Sequence, residues 1–253
     1  MIDVFITFHK KDSLALPLCL RSISRYLTPK PGRITIVSDD IPGNLLTRYE
    51  LNHIHESSVF KGLPRTAMPK ICCNGEDRTG WYFQQFLKWG VSRYSGTEDY
   101  AVIDADTIFI KPVTLIESGK YVFYRRDNYH RPYFNTYEKL FGYFPEKQLS
   151  YIADFMVFNT GIINEIITRI ETADNASKWY EIILNTIDRK ELSSFSEFET
   201  YGYYMSRYHP GLFKSAGYRN KILQKETIPC HIFNTIRCRL GGYTSISYHC
   251  YER

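Results

Sequence analysis

The start of the chain constrains the fold most. Ile2-Asp3-Val4-Phe5-Ile6-Thr7-Phe8 is rich in β-branched and aromatic residues and reads as a strand. Asp12-Ser13 then reads as the cap of a helix that carries Leu16, Leu20, Ile23 and Leu27 at helical spacing. Pro29-Lys30-Pro31-Gly32 breaks that helix, and Arg33-Ile34-Thr35-Ile36-Val37-Ser38 reads as a second strand. Strand, helix and strand make a βαβ unit, which needs parallel strands and a covering layer of helices. The expected fold is therefore α/β: an open, mostly parallel central sheet flanked by helices.

Composition sets the outer bounds. The 253 residues are 43% hydrophobic, 23% charged and 16% aromatic, which excludes a disordered, collagen-like or coiled-coil protein. No linker divides the chain, so residues 1–253 are expected to form one domain. No apolar run approaches the length of about 18 residues that a membrane-spanning helix needs. Met1-Ile2-Asp3-Val4 lacks the basic and apolar regions of a secretory signal, so a cytoplasmic location is expected. The net charge of +5 is too small and too scattered for a nucleic-acid-binding run. It suits phosphate-bearing ligands or peripheral contact with an anionic membrane surface. Cys19, Cys72, Cys73, Cys230, Cys238 and Cys250 form no CxxC pair, so reduced thiols are expected. The formal sequon Asn175-Ala176-Ser177 carries no meaning in a cytoplasmic chain.

Residues 61–80 read as irregular, with Gly62, Pro64, Pro69, Gly75 and Gly80. A helix is expected from Trp81 to about Tyr94, and others over 160–172, 175–189 and 196–208. Residues 229–253 read as loop-rich. Between Tyr94 and these later helices, Tyr100-Ala101-Val102-Ile103 has the signature of a buried strand and runs directly into Asp104-Ala105-Asp106. Spacing of i and i+2 puts two carboxylates on one side of an extended chain. Open α/β sheets bind ligands beyond the carboxyl ends of their strands, where this pair falls. Two adjacent carboxylates repel unless a cation sits between them, and hard oxygen ligands suit Mg²⁺ or Mn²⁺. The plainer reading is a solvated turn with two capping aspartates.

Several runs in order resemble one family. Gly80-Trp81-Tyr82-Phe83-Gln84-Gln85-Phe86-Leu87-Lys88 precedes the strand and Asp-x-Asp, and Pro132-Tyr133-Phe134 follows them. Next come Tyr151-Ile152-Ala153-Asp154-Phe155-Met156-Val157-Phe158 and Ser194-Phe195-Ser196-Glu197-Phe198-Glu199-Thr200-Tyr201-Gly202. Together they resemble GT-A-fold glycosyltransferases, in particular small bacterial and viral polysaccharide-type transferases, over residues 2–210. The resemblance implies a nucleotide-sugar donor (a UDP-sugar, with a GDP-sugar as the alternative), a divalent metal and a glycan or glycolipid acceptor. It makes residues 1–106 the donor-binding half and 107–253 the acceptor half.

Each implied role stands beside a structural one. Thr7, Phe8, His9 and Asp39 are placed at the nucleoside, with helix capping as the alternative for Asp39. Gln85 and Lys88 face the donor, or Lys88 faces solvent; Trp81 and Trp89 read as core. Asp104 and Asp106 hold the metal. His249 is the candidate third ligand, against His231 or no histidine. Glu197, then Asp154, is the candidate base for the acceptor hydroxyl; capping and a buried structural carboxylate are their respective alternatives. Three other functions fit less well. A sugar nucleotidyltransferase would want glycine in His9-Lys10-Lys11-Asp12, and a haloacid-dehalogenase phosphatase would want Thr or Val where Ile108 stands. A non-catalytic carbohydrate-binding module leaves the carboxylate pair unexplained.

Overall fold

The computed structural model describes residues 1–60, 66, 68–127, 129–145, 149–172, 174 and 176–249, with His249 described by its backbone only. Asn175 and Cys250 lie outside the described residues, and the five described cysteines are free thiols. The chain runs β1 (Ile2–Thr7), α1 (Leu16–Tyr26), β2 (Pro31–Ser38), α2 (Gly43–Tyr49), β3 (Asn52–His55), α3 (Thr79–Gly90), β4 (Asp99–Ile103) and β5 (Thr107–Phe109). It continues β6 (Lys120–Arg125), α4 (Arg131–Phe141), β7 (Phe155–Asn159), α5 (Thr160–Glu171), α6 (Trp179–Thr186) and α7 (Glu197–Tyr208). The last elements are β8 (Phe213–Gly217), β9 (Asn220–Gln224), α8 (His231–Leu240) and β10 (Ser245–His249).

All six residues of β1 are buried, which marks an inner strand of a parallel sheet with both faces covered. The central sheet has the spatial order β7-β4-β1-β2-β3. β2 and β4 both run parallel to β1, with Ile6 opposite Ile36 and Phe5 opposite Val102. Only β7 runs antiparallel, placing Phe155 opposite Ile103. The chain builds outward from β1 to β3, then crosses back to lay β4 on the other side of β1. That reversal opens a crevice at the carboxyl ends of β1 and β4, where ligands bind in folds of this kind. This is the α/β architecture expected from the sequence.

Two smaller sheets flank it: β6 pairs in parallel with β8, and β10 joins β9 to β5. The β10–β5 pairing sets Ser247 opposite Thr107, so the end of the described chain lies against the residues that follow Asp104 and Asp106. The Tyr248 N–H donates to the Asp106 carbonyl at 3.3 Å.

The tyrosine surplus is a core feature. Tyr82, Tyr100 and Tyr201 are fully buried, and each hydroxyl has a partner, as a buried tyrosine requires. The Tyr100 hydroxyl donates to the Lys88 carbonyl at 3.1 Å, while those of Tyr201 and Tyr82 accept from the N–H of Asn159 and Ser194. Trp89 is fully buried, as expected, and Trp81 is half-buried.

Two sequence expectations need correction. Asp12 does not cap α1, which begins at Leu16 with no side-chain cap. Asp12 is instead buried at the end of a short 3₁₀ turn, where the Lys225 Nζ lies 2.8 Å away. Residues 229–253 are not simply loops: α8 and β10 occupy most of them. α8 does carry large apolar residues at helical spacing, Ile232, Ile236 and Leu240, but in the folded chain His231 and Asn234 bond inward while these apolar residues face outward.

Gly202 of α7 packs on the ring of Tyr151, and a Cβ there would come within 2.5 Å of the ring. Gly202→Ala is therefore expected to destabilise the fold by about 1–3 kcal/mol through overpacking. Urea unfolding checks this; an unchanged midpoint would show that Tyr151 moves freely.

Candidate active site

The antiparallel β4–β7 pair explains why two distant carboxylates meet. Asp104 is the first residue past β4, and Asp154 immediately precedes β7, so the register brings them side by side. The Asp104 N–H donates to the Asp154 carbonyl at 2.9 Å. Asp154 has a left-handed backbone, with φ of 63°, an uncommon conformation for a residue with a Cβ and one often found at functional sites. Its Oδ2 accepts from Arg126 at 2.5 Å and from the Asn220 amide at 2.9 Å.

Lys88 comes from α3 and is buried. Its Nζ lies 2.7 Å from Asp104 Oδ1 and 2.7 Å from Glu197 Oε1, above the ring of Phe198. Burial alone would lower its pKa, but the Asp104 and Glu197 carboxylates more than reverse this and hold the ammonium well charged. Burial pushes the Glu197 carboxyl up, against the opposing pull of Lys88. One turn before Lys88, the Gln85 side-chain oxygen accepts the Glu197 backbone N–H at 3.0 Å. α3 thus grips the start of α7 at two points. The side-chain cap of α7 is Ser196, not Glu197.

Asp106 is half-buried beside these groups. Burial, then the negative charges of Asp104, Asp12 and Asp154, push its carboxyl up to about 8, with Lys225 opposing. Thr7, Asp12, Lys88, Asp106, Asp154 and Glu197 are among the residues lining a cavity of about 250 Å³. A second cavity of about 720 Å³ shares the turn after β1 and is lined by Phe8, His9, Asp39, His55 and others.

The model of a family of unknown function (DUF6492) matches residues 9–229. The chain belongs to this family. No curated protein sequence matches it. The structure is similar to that of mouse xyloside xylosyltransferase 1 in its apo form, with a TM-score of 0.53 and 12% identity over 98% of each chain. It is also similar to the apo bifunctional glycosyltransferase WbbM, with a TM-score of 0.51 and 12% identity over 100% of this chain and 46% of WbbM. This member of the family therefore has a GT-A glycosyltransferase fold.

The structure sorts the residues picked out from sequence into two groups. Thr7, Gln85, Lys88, Asp104, Asp106, Asp154 and Glu197 converge on the smaller cavity, and Phe8, His9 and Asp39 on the larger one. Phe8 is 4% exposed and offers a base little surface. Asp39 is largely exposed, with His55 Nε2 at 3.1 Å. Lys88 does not face solvent. The side chain of His249 lies outside the described residues. His231 bonds to the Tyr248 hydroxyl at 3.0 Å and does not line the Asp106 cavity. Among the described residues, no three His, Cys, Asp or Glu side chains are already gathered as a metal-ligand cluster. Asp12, Arg126, Asn220 and Lys225 were not singled out as site residues from sequence. Arg126, Asn220 and Lys225 lie in or beside strands whose buried and exposed positions do not alternate strictly.

Glu199 supplies a pH test of this region. It is buried, accepts the Tyr151 N–H at 2.8 Å, and burial pushes its carboxyl from 4.5 up to about 7. Between those values the folded chain keeps a proton that the unfolded chain has lost, so stability falls as pH rises through that window. The loss is on the order of 3 kcal/mol above pH 7. Glu199→Gln keeps an acceptor for Tyr151 but cannot ionise. Its stability relative to wild type should rise by that amount between pH 4.5 and 7 in urea titrations, and a pH-independent difference would count against the assignment.

Proposed function

We propose that the chain is a metal-dependent glycosyltransferase, moving a sugar from a nucleotide donor to a hydroxyl acceptor in the synthesis of a surface glycan. One observation carries this reading. On a glycosyltransferase fold, Asp104 and Asp106 lie at the β1–β4 crevice and line one cavity with Lys88, Asp154 and Glu197. A UDP-sugar is the proposed donor and a GDP-sugar the alternative. Residues 1–106 are assigned to the donor and 107–253 to the acceptor.

The donor set fits Mg²⁺ or Mn²⁺. Asp106 is crowded by three other carboxylates that raise its pKa, a field that a divalent cation relieves. Such ions typically take one or two protein carboxylates and complete their shell with water and substrate phosphates. Asp106 and Asp104 would hold the ion, which when bound stabilises charge on the departing diphosphate. Lys88 fixes Asp104 Oδ1 in place. Lys225 and Arg126 hold Asp12 and Asp154 and keep the carboxylates from driving one another apart. The nucleoside is assigned to the larger cavity, beside His9 and Asp39.

Glu197 is the proposed base for the acceptor hydroxyl, with Asp154 second because Arg126 and Asn220 both engage its Oδ2. A base opposite the leaving group belongs to an inverting reaction. Retention would instead need a nucleophile or the donor's own phosphate.

Two substitutions test this. Asp106→Asn keeps shape and removes a charge, so metal-dependent donor binding should vanish while the melting curve survives. Calorimetry with nucleotide sugars and Mn²⁺ reads this, and full activity in excess EDTA would sink the metal assignment. Glu197→Gln should retain donor binding while turnover falls by about 10²–10⁴. Turnover at the wild-type rate would place the base elsewhere.

A further inference from the structure

α8 is built inside out. Ile232, Phe233, Ile236 and Leu240 are 78%, 66%, 55% and 86% exposed. At about 100° per residue they fall within one arc of roughly 100°, so they form a continuous apolar stripe. The polar side chains other than the two arginines point the other way. His231 Nδ1 bonds to the Tyr248 hydroxyl at 3.0 Å, the Asn234 amide donates to the Thr227 carbonyl at 3.1 Å, and Cys238 is buried. The helix is therefore anchored by its polar face and displays its apolar one. Arg239 and Arg237 border the stripe on either side. Arg239 donates to the Ile110 carbonyl at 2.6 Å, while Arg237 is exposed.

We propose that this face of α8 docks on an anionic lipid surface, with the helix lying in the plane of the interface. The stripe supplies apolar area to the acyl boundary, and its flanking arginines sit at headgroup level. Charge selects this occupant over a second copy of the chain. α8 contains no carboxylate, so self-packing would set arginine-bordered edges together with no acid to pair them. From Tyr218 to His249 the chain carries Arg219, Lys221, Lys225, Arg237 and Arg239 against Glu226 alone. α8 also lies wholly beyond residue 229, where the match to the family ends, so its apolar face belongs outside the matched part of the fold. The proposal does not depend on the reaction assigned above.

Co-sedimentation of the full chain with lipid vesicles, without any substrate, tests it. The wild-type protein should partition onto phosphatidylcholine vesicles that contain phosphatidylglycerol, and more weakly onto phosphatidylcholine alone. F233S/I236S should cut partitioning about tenfold or more while leaving the melting temperature unchanged, because both side chains are exposed. R237E should cut it about fivefold on the anionic vesicles and have little effect on the neutral ones. Failure of the wild-type protein to sediment with anionic vesicles would overturn the proposal. So would a concentration-dependent dimer in analytical ultracentrifugation that F233S/I236S dissolves, since a second copy would then cover the stripe.

Discussion

The buried ammonium of Lys88 is the interaction on which the rest of the site depends. Taking Lys88 and Glu197 out of water, with Asp104 only half-buried beside them, costs several kcal/mol per buried ion, roughly recovered when the geometry is close. Contacts of 2.7 Å on both sides supply that geometry. Losing one member of such a group costs about 3–5 kcal/mol, because a buried charge is left uncompensated. The three residues belong to α3, the end of β4 and the start of α7. A single cation therefore fixes the relative position of a helix, a strand end and a second helix. Gln85 reinforces the same junction through a neutral bond.

Around this centre, charge is balanced across long stretches of sequence. Asp12, Asp104, Asp106 and Asp154 gather at the crevice because the strand order brings the ends of β1 and β4 together beside the start of β7. Their partners come from elsewhere: Lys225 after β9, Arg126 after β6 and Lys88 from α3. Asn220 bridges Asp154 to Ser247, at 2.9 Å to each. The small sheets thus act as struts that deliver cations and amides to carboxylates held by the central sheet.

Much of this was legible in the sequence wherever local pattern and burial agree. β1, β2 and β4 could be read because inner parallel strands are apolar on both faces, and Asp104 and Asp106 stood out because such a strand ends in them. Lys88 was recognisable as a residue of interest, but its pairing with Glu197 was not. Glu197 lies far along the chain, and no local spacing relates the two. Asp12 was misread as a cap because a turn aspartate before an apolar run has the same local signature whether it bonds to a helix or to Lys225. β6, β8 and β9 mix exposed and buried positions without strict alternation, so Arg126 and Asn220 had no visible context. The fold is shared with glycosyltransferases at 12% identity, which shows how loosely side-chain identity is tied to this architecture.

The β5–β10 pairing has a consequence for biosynthesis. Thr107 and Ser247, opposite one another across it, are separated by 140 positions. As the chain emerges from the ribosome, the crowded carboxylates of Asp12, Asp104 and Asp106 are made long before Lys225, Asn220 and the backbone of Tyr248 exist to brace them. Until then, the nascent crevice holds its acidic cluster with only part of its counter-charge. The first strands of the central sheet can pair early, but the site takes its final shape only when β10 reaches β5. The braced form of the crevice therefore waits on a long-range closure between residues 107 and 247, a contact of the kind that loop-closure entropy makes slow to form.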